Sequence, residues 1–168
     1  MNHKTLLIAK DNIYRPSQLL ISNYKENEES QDYEACTFTL ANKKIIYRAA
    51  KITPTKVGHF VTVWKRKEGI TAPFEESDTF DYFIISVEDQ EHFGQFIFDK
   101  KTLVKHGIIT SSKKPGKRGM RVYAPWIIPN NKTALNTQKW QCDCFIDFND
   151  KPEKIMAQLH LMLSKRDL

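Results

Sequence analysis

The sequence predicts an α/β fold in which a mixed central β-sheet is flanked by helices. Three observations carry this expectation. Strand-like hydrophobic periods fill most of residues 35 to 98, helix-like periods occupy the two ends, and 168 residues is the usual size of one domain around one core. With 40% hydrophobic and 11% aromatic residues the chain has the apolar side chains such a core needs, which excludes a disordered protein. A single domain, 1–168, is expected.

The elements follow in order. Leu6, Leu7, Ile8 and Ile13 have helical spacing and Arg15-Pro16 stops the run, so a short first helix is expected over Lys4 to Ile13. Gln18 to Tyr24 reads as a weak strand, and Lys25 to Gln31 as a polar loop. Cys36, Phe38 and Leu40 alternate with threonines, Asn42-Lys43 turns the chain, and Lys44 to Ile52 returns as a β-branched run, making a hairpin. Gly58 to Arg66 is expected as the third strand of the same sheet, with Val61, Val63 and Lys65 on one face.

Asp81 to Val87 and Phe93 to Phe98 are continuous apolar runs, as in strands buried on both sides, with an acidic turn between them. Asp99 suits the N-cap of a short helix that stops before Gly107. Residues 111–119 form a basic loop, expected to be mobile, that leads into a strand at Met120 to Tyr123. Lys132 to Lys139 is expected as helix, whereas Trp140, Cys142, Cys144, Ile146 and Phe148 alternate as in a strand. Pro152 opens a last helix to Arg166, with Ile155, Leu159, Met162 and Leu163 on one face.

No apolar run is long enough to cross a bilayer, so no membrane insertion and a cytoplasmic setting are expected. Three cysteines then read as reduced thiols, and neither they nor His3, His59, His92, His106 and His160 have metal-site spacing. No metal and no cofactor is assigned. Phosphate-binding glycine loops and nucleophile motifs are missing too.

The charge of +6 is unevenly spread. Residues 35–67 hold eight basic side chains and no acid, 68–99 hold nine acids and no Lys or Arg, and 100–142 hold ten basic side chains and no acid. Such blocks can neutralise one another on folding. Here, however, the basic residues are interleaved with Tyr47, Phe60, Trp64, Tyr123, Trp126 and Trp140. That combination suits phosphate contact and stacking, and it points to a polyanion partner.

Several strings carry a family resemblance: Ala35 to Phe38 (ACTF), Arg48 to Arg66 (RAAKITPTKVGHFVTVWKR), Asp81 to Val87 (DYFIISV), His92 to Phe98 (HFGQFIF), Gly116 to Trp126 (GKRGMRVYAPW) and Thr137 to Gln141 (TQKWQ). Over about residues 33 to 148 the chain resembles the MepB family, encoded with a MATE-type multidrug efflux pump and its MarR-type repressor. The resemblance implies a core like that of the restriction-endonuclease-like (PD-D/ExK) superfamily, and DNA as a partner.

That superfamily holds Mg²⁺ with an Asp and a Glu or Gln, the latter two residues before a lysine. With Lys51 as that lysine, the two ligand positions fall on Ala49 and near Cys36. With Lys65, the Glu position falls on Val63. Neither choice supplies two carboxylates, so a degenerate site is expected.

The leading expectation is a non-enzymatic binder of double-stranded DNA, largely independent of sequence. Arg48, Lys51, Lys56, Lys65 and Arg66 would contact phosphates. Lys113, Lys114, Lys117, Arg118 and Arg121 would form a mobile arm, Lys139 would join the nucleic-acid-binding set, and Trp64, Trp126 or Trp140 would stack or wedge. The alternatives are a metal-dependent endonuclease using Asp81 and Glu34, and an interaction protein docking a basic face on an acidic partner.

Overall fold

The computed structural model describes residues 1–164. Helix α1 (Lys4–Ala9) runs directly into a wide π-turn, Lys10–Tyr14, and together they bury Leu6, Ala9, Ile13 and Tyr14. Strand β1 (Ser22–Glu26) follows, then the hairpin of β2 (Cys36–Leu40) and β3 (Lys43–Ala49). The hairpin turn is Ala41-Asn42, both at positive φ (50° and 59°), one residue earlier than the sequence suggests. Past β3 come β4 (Lys51–Ile52), β5 (His59–Thr62) and the β6–β7 hairpin (Trp64–Lys67 and Ile70–Pro73).

The long hairpin β8 (Tyr82–Asp89) and β9 (His92–Asp99) leads into α2 (Lys100–Lys105), whose N-cap Asp99 accepts the Thr102 amide at 2.7 Å. Strand β10 (Gly119–Val122), helix α3 (Lys132–Cys142), strand β11 (Phe145–Asp147) and helix α4 (Pro152–Leu163) complete the described chain. Residues 165 and 166, which the sequence places in the last helix, lie outside the described residues. No helix among the described residues is long and apolar enough to cross a membrane.

Six strands form the central sheet in the order β1-β2-β3-β8-β9-β11; β3 and β8 are parallel and every other pair is antiparallel. The mixed sheet with flanking helices is thus present, but its third member is not residues 58–66. β8 takes the place beside β3, because DYFIISV is apolar on both faces and can be covered on both. Residues 59–66 can bury only one side, through Val61 and Val63, since Lys65 and Arg66 must reach solvent. They split instead between a three-stranded sheet, β10-β5-β4, and the β6–β7 hairpin.

The second departure concerns Trp140 and Cys142. They belong to α3 and not to a strand, so the alternating pattern is used as strand only at Phe145–Asp147. Gln141, fully buried, explains the choice: its amide bonds the backbone of β10, which a helix can reach at that point.

Each face of the central sheet has its own core. On one, α1 and α4 cover Cys36, Phe38, Leu40, Ile45, Tyr82 and Ile84; on the other, Phe83, Ile85, Phe96 and Phe98 pack under α2, β5 and β10. The helix-covered face also holds a buried polar chain that links Glu34, Thr5, Tyr47, Ser86, Gln95 and Tyr14 in sequence, four of its contacts at 2.6 Å.

Candidate nucleic-acid interface

The small sheet positions the basic side chains. Lys51 lies opposite Phe60, and Phe60 opposite Arg121, so the three share one face across β4, β5 and β10. Val61, Met120 and Val122 point the other way, into the core. The outer face therefore turns to solvent because the inner one is apolar. The Lys51 ammonium sits 5.1 Å from the centre of the Tyr33 ring, which in turn meets Phe60 edge-on at 6.1 Å.

Arg121 organises the neighbouring loop. Its guanidinium donates to the carbonyls of Lys56, Val57 and Gly58 and to the Thr53 hydroxyl. This fixes residues 53–58 as an arch and leaves the Lys56 side chain exposed. Gly58 is required there: its φ is +85°, and a Cβ would come within 2.7 Å of the Tyr123 ring. Arg118 is exposed and reaches the Thr71 carbonyl.

Lys113, Lys114 and Lys117 are exposed as expected, but their loop is tied down. Ser111 N donates to Lys114 O, Gly116 N to Thr110 Oγ1 and Lys117 N to Ile108 O, each at 2.9 Å. A Cβ on Gly116 would strike the backbone of residues 108–110 within 2.8 Å, so only glycine lets the two segments lie this close.

The structure removes two members from the expected phosphate-contacting set. Arg48 is fully buried between Phe74 and Phe83, each ring centre 5.9 Å away, and cannot meet a duplex. Its one hydrogen bond is from Nη1 to the Tyr47 carbonyl; Nε and Nη2 have no partner. Burial pulls its pKa down to about 10, against the opposing pull of Glu29 and Cys36. Lys65 is held between Glu75 (2.8 Å) and Asp78 (2.5 Å), so its charge is already neutralised. Partial burial opposes that charge, but the hydrogen bonds to Asp78 and Glu75 leave its pKa raised, and Glu75 is lowered by Lys65 and then Lys67.

The acidic block therefore neutralises only one end of the first basic block. Arg66 stays exposed, over the Trp64 ring at 5.3 Å, and Lys139 is exposed on α3. Among the described residues no ion pair joins Lys51, Lys56, Lys113, Lys114, Lys117, Arg118, Arg121 or Lys139 to a carboxylate. Two of the tryptophans are packing residues. Trp126 stacks on His92 and meets Phe145 edge-on, and Trp140 lies flat on His106 at 3.9 Å and against Phe98. Trp64, half-exposed, lies in the basic strand β6 with Arg66 over its ring.

The carboxylates of the endonuclease alternative are not brought together. Glu34 accepts the Thr5 and Leu6 amides and the Thr5 hydroxyl at the start of α1. Asp81 accepts the Lys44 amide at 2.7 Å and pins the register of β8 beside β3. Glu34 sits at the Tyr47 level of β3 and Asp81 at the Lys44 level, about 10 Å of strand apart. Cys36 and Ala49, the degenerate ligand positions, are buried, while Lys51 has left their sheet. No three His, Cys, Asp or Glu side chains among the described residues are grouped to hold a metal ion.

Sequence reasoning missed Arg121 as an organiser, and Gln141 and Tyr33 altogether. Their roles depend on strand neighbours that come from distant parts of the chain, and no local motif marks them.

A family model described as MepB-like matches residues 27–147. No curated protein matches the chain. Among solved structures, the crystal structure of MepB is 38% identical and superposes with a TM-score of 0.77, covering 90% of this chain and 99% of that one. A bacterial homing endonuclease is 11% identical with a TM-score of 0.38 over 70% of this chain and 76% of its own, a likeness too slight to transfer fold or chemistry.

Proposed function

The chain belongs to the MepB-like family, and on that premise we propose that it is a non-enzymatic binder of double-stranded DNA. The observation that supports this reading is the outer face of the small sheet with its adjoining loops. Lys51, Lys56 and Arg121 are gathered there, and Lys117 and Arg118 lie on the loop that enters β10, none of them with a paired carboxylate among the described residues. A polyanion gains most where cations are not already paired, because each phosphate contact releases condensed counterions.

The set is lysine and arginine and contains no asparagine or glutamine, the side chains suited to reading base edges. It positions a backbone and does not read sequence. Two carboxylates locked in backbone caps at different levels of the sheet speak against the endonuclease alternative.

A mobility-shift titration of a duplex over about 50 to 200 mM salt tests the reading. Binding that weakens steeply with salt and varies little with sequence is the expected result. No shift at low salt would overturn it in favour of an acidic protein partner, and metal-dependent nicking would overturn it in favour of a nuclease.

A further inference from the structure

Between α3 and strand β10 lies a pocket of about 250 Å³, lined by His106, Lys117, Arg121, Thr133, Thr137 and Trp140 among others. Every lining residue comes from the acid-free stretch 100–142, and no carboxylate faces the cavity. Two kinds of chemistry meet in it. Neither Lys117 nor Arg121 has a carboxylate partner among the described residues, although donors of Arg121 hold the 53–58 arch. Thr133 and Thr137, one helical turn apart on α3, have hydroxyls with no hydrogen bond to the described residues. Cations with free hydroxyl donors are what a phosphate oxygen requires.

The second kind is aromatic. The His106 and Trp140 rings, stacked at 3.9 Å with 7° between their planes, form one wall. Such a wall gives a heterocyclic base a flat apolar surface without selecting which base. The amide of Gln141, the side chain suited to reading base edges, is consumed by the β10 backbone. The volume is just under the usual range of about 300–1,000 Å³ for ligand pockets, so the cleft suits one small ligand.

We propose that this cleft binds a single nucleotide unit, an aromatic base together with its phosphate, with little preference among bases. The proposal goes beyond duplex binding: the pocket shares Lys117 and Arg121 with the duplex-binding set, whereas Lys51, Lys56 and the arch do not line it. The same chemistry is offered by a free nucleotide and by the phosphorylated end of a single strand.

The test is a titration of the full chain with AMP, adenosine and inorganic phosphate, following the nitrogen-15 signal of the Trp140 indole, assigned through Trp140→Phe. AMP is expected to shift that signal with Kd of about 1 mM or tighter, and adenosine and phosphate to bind at least about tenfold more weakly. Lys117→Ala with Thr137→Val, both at solvent-accessible positions, should weaken AMP binding about tenfold without altering the melting temperature. A single-stranded oligonucleotide with a 5′-phosphate separates the sources: displacement of AMP assigns the site to strand ends, and failure to displace it assigns the site to free nucleotides.

No shift with AMP overturns the proposal, as do equal affinities for AMP and adenosine or an unchanged affinity in the double variant. A Lys51→Ala/Lys56→Ala chain that loses duplex binding but keeps AMP binding supports the two sites separately. Duplex binding without AMP binding sinks the pocket alone.

Discussion

The Tyr47 hydroxyl is hydrogen-bonded to Ser86 Oγ at 2.6 Å, joining the central parallel strands β3 and β8 by side chain as well as by backbone. The same hydroxyl meets Thr5 Oγ1, which in turn donates to Glu34, so one buried oxygen connects the sheet to α1. Desolvation by burial raises the Tyr47 pKa, partly offset by the Ser86 and Thr5 hydrogen bonds, which keeps the phenol protonated. Tyr47→Phe removes that oxygen and leaves two hydroxyls short of a partner. The expected loss is about 1–3 kcal/mol in urea unfolding, with α1 loosened first in hydrogen exchange. A variant as stable as the wild type would show that the chain of contacts is not cooperative.

Lys51 and Lys65 separate duplex contact from internal neutralisation. If about six phosphates are engaged, the log-log salt slope lies near −5. Lys51→Ala or Lys56→Ala should reduce it by about one unit. Lys65→Ala should leave the slope unchanged, because Glu75 and Asp78 already hold that charge. Glu75, with its depressed pKa, contributes stability above its unfolded pKa that is lost as pH falls through its folded value. Lys65, with its raised pKa, contributes stability that is lost only as pH rises through its folded value. The acid-side loss should therefore be smaller in Lys65→Ala, read from melting temperatures across the acid range.

Arg48→Met should leave DNA binding untouched and make the protein between zero and about 3 kcal/mol more stable, since two buried donors without partners disappear. The pH dependence has a definite sign. Burial lowers the folded guanidinium's pKa below its free value, so between the two values the unfolded chain binds more protons and wild-type stability rises with pH. Methionine at this position should abolish the rise. A destabilised variant would show that the guanidinium is satisfied in solution.

His59 gives a second titration. It is buried, with Nε2 3.2 Å from the Glu88 carbonyl and Nδ1 unpartnered; burial lowers its pKa below 6.5 despite that carbonyl. Its contribution is complete above 6.5 and is lost as pH falls through the folded value. Thermal melts at about pH 7 and about pH 5 should differ more in the wild type than in His59→Gln. His106, also lowered by burial and by Lys105, acts in the same direction, so the flattening will be partial. Equal pH dependence in the two proteins would exclude His59 as a source.

Much of the fold was legible because its signals are local. Cys36, Phe38 and Leu40 announce β2 by alternation, Asp99 and Gly107 bracket α2, and the apolar DYFIISV run could only be an interior strand. What could not be read was pairing. Residues 58–66 look like a strand and are strands, yet nothing in them says which sheet they join; that was decided by competition with β8 for the edge of β3. The site shows the same division. Exposed lysines were legible as charge, whereas the burial of Arg48 and the neutralisation of Lys65 depend on Phe74, Glu75 and Asp78, which arrive from the following acidic segment.

The Gln141 side chain donates to the Arg121 carbonyl at 3.0 Å and accepts the Tyr123 amide at 2.8 Å, so its amide occupies the place a neighbouring strand would take along β10. Without it, that border of the small sheet would offer unpaired backbone to any extended peptide, including another copy of this chain. A helix thus closes the sheet through a single residue, and Gln141→Leu should promote self-association through strand addition.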